Sequence, residues 1–364
     1  MKKIIPILLI MSIVFLFTGC QQAQKKEERN VTPESAVKTA FPATYQESGE
    51  HVNMDIESVN PGEAYFIEGS VKPVELDYET IGKTLIPENE IGKTDTEAKQ
   101  ILSKKMVDDT FYEKMFIWGK DSFFFYTYHG NQLFSSINEE KKGDDYNLPL
   151  YAKEQEFSFG SADDALKDIK ARLNELGIVI DENYLVHTYY LDHETLKQQE
   201  SHYDMEGNRA ESEYKTDWSE KDDAYMFYIS QTYCDLPDYH ASNVMSVRAE
   251  DSSAQITVMY GEEGILYMKV QSIGMYEMGT KQIELLPFET VAETVLNYFD
   301  NILDNAAYEV TDARLICDYT SSHKAEDENG LCPVWAFHVI ETNDGDASIN
   351  YELRVDASTG TVLQ

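Results

Sequence analysis

The sequence predicts an α+β fold built as tandem modules of one helix packed on an antiparallel sheet. Two observations lead there. Three segments carry a one-sided apolar stripe at helical spacing, and each is followed within a few residues by aromatic-led segments of strand composition. The order helix, strand, strand, strand recurs in element type, not in residue identity. Antiparallel strands need only short turns between them, and one helix can cover one face of the resulting sheet.

In chain order, Val52 to Val59 and Ala64 to Ser70 read as strands ahead of the first module. The first helix is expected over Asp95 to Val107, with Thr94 and Glu97 as a capping box and Ala98, Ile101, Leu102 and Met106 inside. Tyr112 to Trp118 follows as a strand. Ser122 to Tyr128 and Gln132 to Ile137 flank His129-Gly130-Asn131, a hairpin signal.

The second helix, Ala162 to Leu176, is the best made. Ser161 caps it, and Ala162, Ala165, Leu166, Ile169, Leu173 and Leu176 form its stripe. Gly177 ends it in the position that favours glycine. Strands are expected at Tyr184 to Leu191, Tyr225 to Tyr233, Val244 to Ala249, Gln255 to Tyr260 and Ile265 to Val270. Between the first two lies Lys197 to Lys221, a polar stretch that reads as a long surface loop.

The third helix runs from Phe288 to Leu303 behind Pro287, its stripe made of Phe288, Val291, Val295, Phe299, Ile302 and Leu303. Tyr308 to Cys317, Val334 to Glu341 and Ser348 to Val355 are strands. The turn Asp356 to Gly360 then leads into Thr361 to Leu363.

The N-terminus reads as an address. Lys2 and Lys3 precede an apolar run from Ile4 to Phe17, then Phe17-Thr18-Gly19-Cys20. The run is shorter than the roughly 20 residues a spanning helix needs, and its layout is that of a secretory signal. The last four residues resemble the bacterial lipobox, with Phe17 where leucine is commoner. The expectation is cleavage between Gly19 and Cys20, lipid on Cys20, and attachment to the outer face of a cell membrane. Two or three acyl chains suffice for stable attachment, where one binds only reversibly. The resulting organisation is a signal peptide at 1–19, a polar tether at 20–45, an N-terminal α+β module at 46–156, a middle module at 157–286 with its loop near 197–221, and a C-terminal module at 287–364.

Composition narrows the function classes. The 364 residues carry a net charge of −36 at 42% hydrophobic content, so the chain can bury cores yet repels phosphate polymers. Nucleic acid is excluded as a partner. Cations, basic peptides, or simple solubility at a charged surface fit. The 24 tyrosines suit either sheet covering or recognition of protein and carbohydrate, and sheet covering is the favoured reading.

Ser161 to Gly177, and Glu289 onward with its ending Val355-Asp356-Ala357-Ser358-Thr359-Gly360-Thr361-Val362, resemble the helix-then-sheet modules of PepSY-type domains. They also resemble YycH/YycI-type regulators of a sensor kinase in Gram-positive bacteria. Together with the lipobox, the layout is similar to uncharacterised clostridial-type lipoproteins whose domain has no assigned function. The likeness covers Phe157 to Gln364. It implies a binding or regulatory role rather than catalysis. The regulators keep a spanning helix where this chain has its lipobox.

Sites of chemistry are few. Cys317 and Cys332 flank the loop Thr320 to Gly330 on consecutive strands, so a hairpin there would set them opposite each other. A disulfide closing about 15 residues would add roughly 3 kcal/mol. Two unbonded buried thiols is the other reading. Cys234 has no evident partner and reads as a core thiol. His193 and His202, with Asp192, Glu194 and Asp204, form at most a weak metal site or a solvated loop, and His187 lies outside any ligand spacing. Asn343, Asp344 and Asp346 crowd one turn without the spacing of a calcium loop. Paired carboxylates carry no information in so acidic a chain. No G-x-S-x-G elbow, phosphate-binding loop or dinucleotide fingerprint occurs, and Ser103-Lys104-Lys105 misses the S-x-x-K spacing. No cofactor is expected. The leading expectation is therefore a non-catalytic, membrane-anchored lipoprotein that binds a protein or peptide in an envelope regulatory role. A binder of a small molecule or glycan, and a hydrolase of unrecognised type, are the alternatives.

Overall fold

In the computed structural model the chain is described over residues 30–86, 99–104, 113–118, 121–139, 143–144, 147–180, 184–202, 214–238, 254–302, 306–320, 329–343 and 349–363. Its strands run in order β1 (Thr39–Ala40), β2 (Tyr45–Ser48), β3 (Val52–Ile56), β4 (Val59–Asn60), β5 (Glu63–Ala64), β6 (Phe66–Pro73) and β7 (Lys99–Lys104). Next come β8 (Glu113–Trp118), β9 (Ser122–Thr127), β10 (Asn138–Glu139), β11 (Gly143–Asp144), β12 (Tyr184–Leu191), β13 (Ala224–Tyr233) and β14 (Leu236–Pro237). The last are β15 (Ile256–Gly261), β16 (Gly264–Val270), β17 (Gly274–Ile283), β18 (Ala307–Thr320), β19 (Asn329–Thr342), β20 (Ile349–Asp356) and β21 (Val362–Leu363). The described helices are α1 (Tyr78–Leu85), α2 (Tyr128–Phe134), α3 (Ala162–Glu175), α4 (His193–Gln199) and α5 (Phe288–Asp300).

The fold is α+β and rich in antiparallel pairing. An eight-stranded sheet has the order β12-β13-β15-β16-β9-β8-β7, with β14 on β13. A nine-stranded sheet has the order β17-β6-β19-β18-β3-β2, with β20, β21 and β4 attached. Its parallel pairings are those of β18 with β3 and β4, where Val52 lies opposite Tyr308 and Val59 opposite Ala313. The two sheets are nested in sequence rather than arranged one after the other. The nine-stranded sheet takes β2, β3, β4, β6 and β17 to β21, and the eight-stranded sheet takes β7 to β9 and β12 to β16 between them, while β1 with β5 and β10 with β11 form separate two-stranded pairs. The expected boundaries at 156 and 286 therefore do not separate the sheets. From Val31 onward the chain forms one compact unit.

Helix α3 forms where its stripe and caps place it. Ser161 Oγ accepts from the Asp164 amide at 3.2 Å, and Gly177 takes φ +80. Ala165, Ile169 and Leu173 pack against Phe123, Tyr225, Phe227, Ile256 and Met268 of the eight-stranded sheet. Each fully buried side chain of that size contributes about 1.5–3 kcal/mol. The opposite face of the same sheet is also closed, by Leu133 of α2, Leu196 of α4, and Leu148 and Tyr151 of a short 3₁₀ turn. Helix α5 covers one face of the nine-stranded sheet. Phe288, Val291, Val295 and Phe299 join Met54, Ile56, Trp335 and Phe337 there, with the Phe288 and Trp335 ring centroids 4.8 Å apart. Among the described residues the other face carries a small buried group, Ile316, Val334 and Ala336. Beside it runs an ion ladder in which Arg354 meets Glu352 at 2.9 Å and Asp318 at 3.2 Å, while Arg314 meets Glu352 at 3.4 Å.

Two local expectations are corrected. The segment expected as a helix from Asp95 to Val107 contains β7, paired antiparallel with β8 from Lys99↔Trp118 to Lys104↔Glu113. Pairing with a neighbouring strand overrides an intrinsic helical pattern. His129-Gly130-Asn131 is not a hairpin turn but lies in α2, capped by Thr127 Oγ1 accepting from the Gly130 amide at 2.9 Å. Gly130 is small for contact, not for turning: a Cβ there would lie 2.2 Å from the Leu266 carbonyl oxygen. The expected strand Val244 to Ala249 lies outside the described residues, as does the middle of the loop near 197–221. Among the described residues no helix is long and apolar enough to cross a membrane.

Candidate functional site

A cleft of about 800 Å³ opens between the starts of β12 and β17, the two strands that end their sheets on one side. Its aromatic wall consists of Tyr65, Tyr184, Tyr233 and Tyr276, and its charged lining residues, Glu34 and Asp235, are both acidic. The wall is shaped by a two-residue hairpin between β13 and β14. Cys234 and Asp235 form the turn with φ of 52 and 63, in the left-handed region, and neither is glycine. Turns of this kind match the twist of the flanking strands but normally use Asn, Asp or Gly. Non-glycine residues so held cost on the order of 1–3 kcal/mol each. The Ile67 amide donates to Cys234 Sγ at 3.4 Å and holds the cysteine in place.

Behind the wall lies a buried amide network. Gln231 Nε2 donates to the Gly274 carbonyl at 2.8 Å, and the Gly274 amide returns a bond to Gln231 Oε1 at 3.0 Å. Gln255 Oε1 accepts from the Gln231 amide at 2.9 Å, while Gln255 Nε2 donates to the Asp238 carbonyl at 3.1 Å. Together these bonds tie β13, β15 and β17 to the segment after β14. The Tyr276 hydroxyl donates to Asp238 Oδ2. Burial and then the Asp238 charge drive the Tyr276 phenol far above its ordinary range, so it stays protonated. Tyr65 is pushed up to about 12 by burial and by the neighbouring Asp235 charge.

A second polar region lies where α2, α4 and residues 214–222 meet. Three carboxylates are buried there: Glu200, Asp222 and Asp223. His129 Nε2 lies 2.9 Å from Asp222 Oδ1, and Lys215 Nζ lies 3.4 Å from the same atom. Asp223 Oδ1 accepts from the His193 amide at 2.8 Å and lies 2.7 Å from His193 Nδ1. Glu200 takes the Lys215 amide at 2.7 Å, Trp218 Nε1 at 3.2 Å and His202 Nε2 at 2.9 Å. Burial raises the Asp223 carboxyl, and its bonds to His193 only partly offset this. Burial also opposes the charge on His193, but Asp223 outweighs it and the net shift is upward.

The weak metal grouping expected from the sequence is divided by this arrangement. His193 answers to Asp223 and His202 to Glu200, while Asp192 caps α4 by accepting from the Thr195 amide at 2.9 Å. Asp204 lies outside the described residues, as do Asp344 and Asp346. Among the described residues no cluster could hold a metal ion. The partners Asp222, Asp223 and Glu200 were missed in sequence because nothing in the spacing of an acidic chain singles them out.

Gly19 and Cys20 also lie outside the described residues. The expected bond between Cys317 and Cys332 is corrected: both thiols are unbonded. The hairpin forms, but Cys317 lies opposite Pro333 and Cys332 opposite Asp318. One residue of offset sends the two side chains to opposite faces. Cys317 enters the main core of the nine-stranded sheet, and Cys332 packs on the small group behind it. Cys234 is buried, as expected for a core thiol, and burial raises it to about 11.

No family model matches the chain, and no curated protein matches it. Among solved structures, its fold is similar to that of an uncharacterized protein from Eubacterium rectale ATCC 33656. The TM-score is 0.60 and the identity 16%, over 89% of this chain and 94% of that one. At that identity the likeness is one of fold.

Proposed function

We propose that this protein is a non-catalytic, lipid-anchored surface protein whose cleft between β12 and β17 binds a protein or peptide, in a regulatory role at the cell envelope. The observation that carries the binding reading is the cleft itself, concave, lined by tyrosines and acidic at its charged positions. Tyrosine gives rigid contact area with a polar tip, which suits protein recognition. Two exposed methionines stand at the cleft, Met275 at 59% and Met278 at 45% exposure. Such side chains adapt to irregular partners. Burial raises the Cys234 thiol to about 11, which argues against this side chain as a nucleophile. The anchor rests on the sequence of the leader and on Cys20.

Benzoylphenylalanine in place of Met275, in the whole chain in its native membrane, is expected to crosslink a polypeptide on irradiation. The same group in place of Ile349, on β20, serves as the control and is expected to trap none. Equal trapping at both positions, or none at Met275, removes the reading. Mass spectrometry of the native N-terminus tests the anchor, with a lipidated Cys20 expected and an unmodified thiol against it. A cleft of about 800 Å³ is also the size of many small-molecule sites, which favours a glycan or metabolite as a second reading. A thermal-shift panel and a glycan array without a hit dispose of that one.

A further inference from the structure

Strand β17 ends the nine-stranded sheet, and among the described residues it is paired with β6 and with no other strand. An edge strand offers a row of backbone donors and acceptors that natural proteins usually blunt or cover. Part of this edge is already used by the chain itself. The Val31 amide donates to the Thr280 carbonyl at 2.9 Å, and the Val37 amide donates to Gln282 Oε1 at 3.0 Å. From Met275 to Gly279 no backbone bond to a described segment other than β6 is present, and Met275, Tyr276 and Met278 of this stretch line the cleft. Tyr276 is turned inward to Asp238, while Met275, Glu277 and Met278 are exposed.

Resting on the reading of the cleft as a polypeptide site, we propose that the partner binds there as an added strand along Met275–Gly279. The partner is an extended segment bearing basic residues. Backbone bonds to an edge strand supply affinity, and flanking pockets supply selection. The selection here is for positive charge, because Glu34 and Asp235 are the charged groups lining the cleft. A second copy of this chain is disfavoured as the occupant. Two molecules of charge −36 meeting edge to edge would repel each other.

The test uses the purified whole chain in detergent and a labelled octapeptide of alternating lysine and valine, followed by fluorescence anisotropy. Two comparison peptides are needed: one with the valine amides N-methylated, and one with glutamate replacing lysine. N-methylation is expected to weaken binding at least about tenfold, since each lost backbone bond counts for roughly a kilocalorie. The glutamate peptide is expected not to bind. Asp235→Asn keeps a residue that tolerates the left-handed turn, and with Glu34→Gln it is expected to weaken the lysine peptide up to about fivefold. Equal binding of the methylated peptide overturns strand addition while leaving peptide binding intact. Equal binding of the glutamate peptide overturns the charge selection. No binding of any peptide overturns this inference, and the crosslink at Met275 then decides whether the broader reading falls with it.

Discussion

The two sheets solve the same problem differently. The eight-stranded sheet is buried on both faces, and residues Ala224 to Gln231 of β13 are buried without interruption. Its second face is closed by α2, α4 and a 3₁₀ turn, none longer than seven residues. The nine-stranded sheet has one face under α5, and its second face carries the ladder of Arg314, Glu352, Arg354 and Asp318 around a small apolar group. β20 accordingly alternates between buried and half-buried positions near its end. A sheet covered twice takes its stability from packing on either side, whereas one covered once relies on a single core. Short helices and charged ladders are thus alternative ways to finish a face.

Several measurements can break or sharpen this contrast. Leu196→Ala removes a fully buried side chain from the second face of the eight-stranded sheet, and chemical unfolding is expected to show a loss of about 2–5 kcal/mol. Glu352→Gln, which leaves Arg314 and Arg354 without their shared carboxylate in the ladder of the other sheet, is expected to cost about 1.5 kcal/mol. Equal losses for these two variants would abolish the distinction. Ser161→Ala deletes the cap of α3 and is expected to cost about 1 kcal/mol, read as a lowered Tm.

The pairing of His193 with Asp223 gives the eight-stranded side a pH signature. Both groups titrate higher in the folded protein than their ordinary values. The stability that protonated His193 contributes is present below its unfolded value and is lost as pH rises through its folded one, whereas the burial of Asp223 is a cost that sets in as its carboxyl ionises. The stability gap between the protein and His193→Gln is expected to narrow as pH rises from about 6 to 8, and a gap that widens contradicts the assignment. The smallest effect is predicted for reductant. With Cys234, Cys317 and Cys332 unbonded, the Tm is expected to be the same with and without dithiothreitol.

The sequence was legible where a pattern is local and complete. Helices α3 and α5 each join a cap or start signal to an apolar stripe, and both occur where those signals lie. Strands β12, β13, β16, β18 and β19 were likewise visible as aromatic and β-branched runs. The short helices α1, α2 and α4 were not, because a seven- or eight-residue helix shows barely two turns of periodicity. Strand β17 escaped because its sequence, with two glycines and few buried residues, lacks strand alternation. The cleft was invisible for a deeper reason: Tyr65, Tyr184, Tyr233 and Tyr276 come from four strands or their connections, and only the nested pairing brings them together. The cysteine offset likewise depends on register, which loop length alone does not fix.

Nesting also imposes an order of assembly. β3 pairs locally with β2 but finds its second neighbour in the distant β18, and β6 finds its partners in β17 and β19. A chain emerging from the N-terminal side therefore holds Met54, Ile56, Phe66 and Ile67 without their final cover until nearly all of it has appeared. Such distant contacts slow folding and leave an incomplete polypeptide with sticky, unshielded segments. The inner sheet can gather while the outer one waits, so a nascent chain stalled near Leu286 would carry the complete eight-stranded sheet and a β3 still without β18.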